Sequence, residues 1–393
     1  MDYYSLFFAS AQSSAEVLLV AITGYLAAKY EIITPSIQKG IGNLLIKVLL
    51  PCLLFSETAA DIDLSNLTQL WPVPVFYGIF IIISGLLGVF GGKLLDLSSA
   101  ETKFVIVGIM FNNITSLLLG LLDGIGNTMA MQILLQNEED NPAESMKRGK
   151  SYVMLAVLLN TLLKWSFGAF LLRKEPSDCH LDSGLLPNHN DQITPSNERT
   201  PLLPSKKNNN QFIIPQILTK IYNVAYGFMN PPLMASIAAL FVGIITPLKN
   251  LFFSDQAPLF VIRHTMEFIG SITIPLMLIS LGAQLQNLPR SKAKKMFTSI
   301  SYVMSCRYLI MPIIGGIMII STKSLYISDP MLWFILMMTA SGPTAISCIN
   351  LVQLTGNFEE EMAVLLFYSY ICLAPIITIT VISFLTIINA NHI

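Results

Sequence analysis

Ten apolar runs, each about 20 residues long, restrict this chain of 393 residues to one environment, because that length of helix crosses ~30 Å of hydrocarbon. They fall at 8–29, 39–60, 73–95, 104–122, 151–172, 230–248, 263–285, 297–320, 331–352 and 362–388. In lipid every backbone N–H and C=O must be satisfied inside the chain, which a helix does within one run. The sequence therefore predicts an all-α membrane protein. Hydrophobic residues make up 53% of it and charged residues 12%, more apolar surface than a soluble domain can hide.

Two of the runs are damaged, in equivalent places. FNNITS interrupts the fourth at 111–116, and SGPTAIS interrupts the ninth at 341–347. A helix broken deep in lipid leaves bare N–H and C=O groups, tolerable only around a cavity or inside protein. Paired breaks, one in each half, are the sequence mark of a transporter's binding site. Asn112, Asn113, Thr115 and Ser116 supply polar side chains to the first break; Gly342, Pro343 and Thr344 supply the second. Gly allows close backbone approach, and Pro removes a helix hydrogen bond. Half-helix N-termini carry partial positive charge, so the pair is suited to an anion.

The two halves match faintly. VAITGYLAA around Gly24 resembles ALFVGIITP around Gly243, and LLPCLLF at 49–55 resembles TIPLMLI at 273–279. With five runs in each half, the second half must enter the membrane upside down. The predicted domains are a first five-helix repeat over 1–172, a polar linker over 173–228 and a second repeat over 229–393. The linker is rich in Asn, Pro, Ser and charge and cannot fold alone. Its last part, 215–228, has apolar residues at helical spacing and reads as an amphipathic surface helix. Fourteen Lys and Arg fall on the linker's side of the membrane and six on the other. The linker is thus expected in the cytosol and both termini on the far side.

Charged groups inside the runs are functional candidates by default. Lys164 lies mid-way along the fifth run, with Asn160 one turn before it on the same face. Arg307 lies mid-way along the eighth, and Glu57 near the end of the second. They read as charge support for an anionic guest. The net charge of −1 gives no reason to expect nucleic acid. No Cys/His cluster points to a metal, no nucleophile–base pair points to an enzyme, and no cofactor is expected.

The residues resemble the auxin efflux carrier family, nearest its PIN-LIKES and fungal members. The resemblance rests on LLPCLLF, the Asn-bearing break, IPLMLISLGAQL at 274–285, the Pro-bearing break and TGNFEEEMAVLLFYSY at 355–370. It implies ten helices as two inverted repeats, with helices 4 and 9 crossing at their breaks at the midplane. Helices 1, 2, 6 and 7 would form a scaffold and a homodimer interface. Helices 3–5 and 8–10 would form a unit that moves like an elevator. An indole-3-acetate-like carboxylate would meet Asn112 and Asn113, with Gly342, Pro343 and Thr344 as the opposite arm. The endoplasmic reticulum membrane is the implied location. One departure is that the plant plasma-membrane carriers have a Pro in the fourth-helix break, and none occurs here between Phe104 and Leu122. A non-transporting sensor signalling through the linker, and a channel, are the alternatives.

Overall fold

Helix covers every apolar run, and most helix ends are legible in the local sequence. The computed structural model describes residues 3–61, 70–126, 129–137, 140–173, 229–254, 257–286 and 290–392. The helices are α1 (Tyr3–Lys29), α2 (Pro35–Ala59), α3 (Pro72–Leu94), α4 (Ser99–Met110), α5 (Thr115–Gly126) and α6 (Pro142–Leu171). They continue with α7 (Pro231–Ile244), α8 (Thr246–Phe253), α9 (Phe260–Gln286), α10 (Met296–Leu325), α11 (Pro330–Ala340), α12 (Cys348–Thr355) and α13 (Glu359–Asn391). Among the described residues the one strand-like element is an isolated antiparallel bridge between Asn112 and Thr344. Six helices are long and apolar enough to cross a membrane, or seven if the bent pair α7–α8 counts as one. The linker and its amphipathic helix lie outside the described residues, apart from Arg173.

Several starts follow one rule: a polar cap, then Pro at the first helical position, where its missing N–H costs nothing. Asn141 accepts from the Ala143 N–H at 3.0 Å, Asn230 from Leu233 at 2.9 Å and Asp329 from Met331 at 3.0 Å. Ser98 and Glu101 form a reciprocal capping box on α4. The cap at Asn141 starts α6 well before the apolar run at 151, because two polar turns precede that run. The sixth run is also shorter than the sequence implied: the chain bends by 103° between α7 and α8 at Ile245, and Pro247 stands in the first turn of α8.

α1 packs along α9 and α2 along α7. The α1–α9 contact is backbone on backbone. A Cβ on Gly24 would lie 2.0 Å from the Ile279 carbonyl oxygen, and one on Gly282 would lie 1.8 Å from that of Ala21. Only glycine fits such an approach. At the centre of the fold, α11 is buried along its whole length. Outward, Ile82, Leu86, Phe241, Phe268, Ile317 and Ile379 are each more than half exposed, an apolar exterior suited to lipid.

A charged corner fixes the start of α11 against α6. Arg148 donates to Asp140 at 2.6 and 3.0 Å and to Asp329 at 3.3 Å, and the Tyr152 hydroxyl donates to Asp329 at 2.9 Å. The hydrogen-bonded Arg148 holds the Asp140 carboxyl below the usual carboxylate range. With its folded value depressed, the pair stabilises the fold above the unfolded carboxylate value near ~3.9 and loses that effect as pH falls through the folded value. Asp140→Asn should therefore flatten the loss of thermal stability between about pH 5 and pH 3, read by unfolding scans in detergent.

Candidate functional site

The two breaks meet. α4 ends at Met110, and the chain runs extended before α5 begins at Thr115; α11 ends at Ala340, and α12 begins at Cys348. The extended pieces pair as a short antiparallel ladder. The Asn113 N–H donates to the Pro343 carbonyl at 2.9 Å, and the Ala345 N–H donates to that of Phe111 at 2.9 Å. Gly342 turns the chain with φ +92°, where a Cβ would also lie 2.7 Å from Leu117 Cδ2. Gly342→Ala should cost about 1–3 kcal/mol, measured as a lowered unfolding midpoint.

Each first-half helix ends in carbonyls with no helical partner, and side chains satisfy them. The Asn112 amide donates to the Thr339 and Ser341 carbonyls at 2.9 and 2.8 Å. The Thr344 hydroxyl donates to Gly108 at 2.8 Å. Arg307 serves both helices: Nε donates to Gly342 at 3.0 Å, Nη2 to Ser341 at 3.1 Å and Nη1 to Ile109 at 3.1 Å. A cation at two converging C-termini also answers their partial negative charge.

The second-half helices present the opposite sign. Residues Asn113, Ile114 and Thr115 at the start of α5, and Ala345, Ile346 and Ser347 before α12, line a cavity of ≈330 Å³. That lies at the lower end of the ~300–1,000 Å³ usual for small-molecule pockets. One wall is apolar, built by Leu50, Leu53 and Leu54 of α2 with Ile274 and Met277 of α9. The other is polar and comes from α6. Asn160 donates to the Asn112 carbonyl at 3.1 Å and accepts from the Tyr77 hydroxyl at 3.0 Å. Lys164 is 5% exposed, and Nζ donates to Ser347 Oγ at 2.6 Å. Among the described residues no carboxylate pairs with it. Trp165 is fully buried in the same wall, and its indole N–H has no acceptor among the described residues. Glu57 also lines the cavity.

The sequence profile of the membrane transport protein family matches residues 10–381. The chain belongs to that family. An uncharacterized transporter of Saccharomyces cerevisiae is 28% identical over 411 residues, covering 95% of this chain and 94% of its own. A second uncharacterized transporter, from Schizosaccharomyces pombe, is 24% identical over 431 residues, covering 93% and 92%. Protein PIN-LIKES 7 of Arabidopsis thaliana is 25% identical over 410 residues, covering 99% and 100%. The likeness to the auxin efflux carriers and their PIN-LIKES branch read from the sequence thus holds along nearly the whole chain.

Within this transport protein the expected site residues divide into two groups. Asn112, Asn113, Thr115, Asn160, Lys164 and Glu57 reach the cavity wall. Gly342, Pro343, Thr344 and Arg307 do not; they build the crossing, and the three Arg307 bonds all go to backbone. Ser116 takes the second position of α5, and its side chain lies outside the described set. The α2 and α9 walls, Trp165 and the two supporting tyrosines, Tyr77 and Tyr370, were not among the expected residues. Tyr370 accepts from the Asn113 amide at 2.7 Å. A tyrosine deep in an apolar run is a signal that could have found both, since its hydroxyl needs a partner there.

Proposed function

We propose that this membrane transport protein is a secondary carrier of a small amphipathic organic anion of the indole-3-acetate class. The observation that carries the reading is Lys164, a buried basic side chain on the cavity wall whose Nζ donates to Ser347 Oγ and which pairs with no carboxylate among the described residues. A cation held in an apolar site is costly unless an anion compensates it. The guest's acid group would meet Lys164, Asn113 and the start of α12, with the Trp165 N–H as a further donor. Its ring would lie against Leu50, Leu53, Leu54 and Met277.

The cavity lies between α2 and α9 on one side and the broken pair with α6 on the other. That division favours alternating access by an elevator-like shift of the second group against a scaffold of α1, α2 and α7–α9. The scaffold would supply the homodimer contact. We further propose the endoplasmic reticulum membrane as its location, with both termini lumenal and the linker cytosolic.

Uptake of labelled indole-3-acetate into proteoliposomes tests the function. Uptake should saturate, and unlabelled acid should compete where its methyl ester, equal in ring but without the charge, does not. Equal competition by the ester would remove the anion from the reading. Large single-channel currents would replace the carrier with a channel.

A further inference from the structure

The face of α6 that lines the cavity does not end at the cavity's rim. From Trp165 back to Ser151 the helix lines the cavity itself. Nearer the start of α6 lies a separate hollow of ≈340 Å³, whose described lining is Ala143, Met146, Lys147, Lys150, Ser151 and Met154. Ser151 and Met154 line both spaces. Lys147, Lys150, Met154, Leu158, Thr161 and Lys164 follow one another at three or four residues, the spacing of neighbours on one helix face, so a single stripe joins the two.

Along α2 the cavity lining extends from Leu50 to Thr58, next to that helix's end at Ala59. The cavity therefore reaches the end of the fold at which α2 stops and α6 starts. Lys164 lies deep within it, ~20 Å along α6 from Ser151.

The charge along the stripe has one sign. Lys147 and Lys150 stand at the outer hollow and Lys164 at the inner end, and Glu57 of α2 is the one carboxylate in the described lining of either space. Lys147 is exposed, whereas Met154, one step inward, is half-buried. A charge at the mouth of a low-dielectric cleft raises the local concentration of its counter-ion. Lys147 lies ~25 Å along the helix from Lys164, several screening lengths at physiological salt, so it acts on an anion in passage and not on a seated one. Met154 is an unbranched side chain with three rotatable bonds, able to swing aside. Taking the guest to be the organic anion proposed above, we infer that the outer hollow is its entrance, with Lys147 drawing it in and Met154 as the gate to the cavity.

Thr161, on the cavity wall beyond Met154, offers a place to read traffic along this route. In full-length Thr161→Cys protein in detergent, labelling above the parent's background is timed with two methanethiosulfonates of similar size, one carrying a sulfonate and the other a trimethylammonium group. Adding Lys147→Glu should slow the sulfonate about fivefold and speed the ammonium reagent, with both effects fading in about 1 M salt. Opposite signs in one variant cannot come from misfolding. Adding Met154→Trp should slow both reagents alike, and Met154→Ala should speed both. Rates indifferent to the charge at position 147, or to the size of the side chain at position 154, would each overturn the inference. Neither reagent resembles indole-3-acetate, so the entrance is tested apart from the carrier reading: an intact labelling pattern with no uptake of labelled acid would remove the carrier and keep the route.

Discussion

Replacing Arg307 with Met should cost the protein its folded state rather than its substrate. The guanidinium is 2% exposed and holds three backbone carbonyls from two different half-helices. Met keeps the apolar stem as far as the position of Nε but offers no donor. The carbonyls of Ile109, Ser341 and Gly342 would then be buried without partners. Hydrogen bonds to a charged group are worth about 1.5–3 kcal/mol each, so the combined loss is on the order of 5 kcal/mol. The whole stability of a typical domain is only about 5–15 kcal/mol. Arg307→Met should therefore elute as aggregate on size exclusion or unfold at a much lower temperature. Arg307→Lys should recover only part of the loss, because a single ammonium lacks the planar fork that reaches both helices. A Met variant with a near-normal unfolding temperature would show that the backbone ladder and the Asn112 and Thr344 bonds hold the crossing without it.

Lys164→Met should do the reverse: the fold survives and the anion is lost. Nζ has one hydroxyl partner and an indole ring at 6.0 Å, so removing it strands no carboxylate among the described residues. The desolvation cost of a buried ammonium disappears with it, and the unfolding temperature should hold or rise. Truncating one partner of a buried charge pair costs about 2–5 kcal/mol of binding. Affinity for indole-3-acetate should thus fall by roughly 30-fold to more than 1,000-fold. The methyl ester, which has no charge to lose, should bind the variant about as well as it binds the parent. Acid affinity within threefold of the parent would move the anion away from α6. The two variants together separate the cation that holds the architecture from the cation that faces the guest.

That separation could not be read from the sequence. Lys164 and Arg307 looked alike there, each a basic residue mid-way along an apolar run. Whether such a group faces a foreign anion or the carbonyl ends of its own helices depends on which elements converge on it, and those lie far away in the chain. The breaks themselves were legible, because Asn-Asn and Gly-Pro inside apolar runs are costly unless the backbone opens. Asn160 and Lys164 were also placed correctly on one face, since four residues make about one helical turn. Adjacent Asn112 and Asn113 were given one shared role, yet they part company. Between α4 and α5 the backbone is extended, and successive side chains in extended backbone point opposite ways. Asn112 therefore turns to the carbonyls of α11, and Asn113 to Tyr370. The early start of α6 escaped because a run of apolar residues marks where lipid begins and not where helix begins.

The buried position of Lys164 also bears on the kinetics of a full cycle. If the unit bearing α6 and the broken pair slides as proposed, it makes one journey loaded and the other vacant. Loaded with a monoanion, the unit carries the Arg307 charge through the apolar slab; vacant, it carries the Lys164 charge as well, and the Born penalty for that trip is larger. The vacant return would then be the slow leg. Such a carrier would swap guests across the bilayer faster than it accumulates them, and labelled acid would leave preloaded vesicles more quickly when unlabelled acid waits outside.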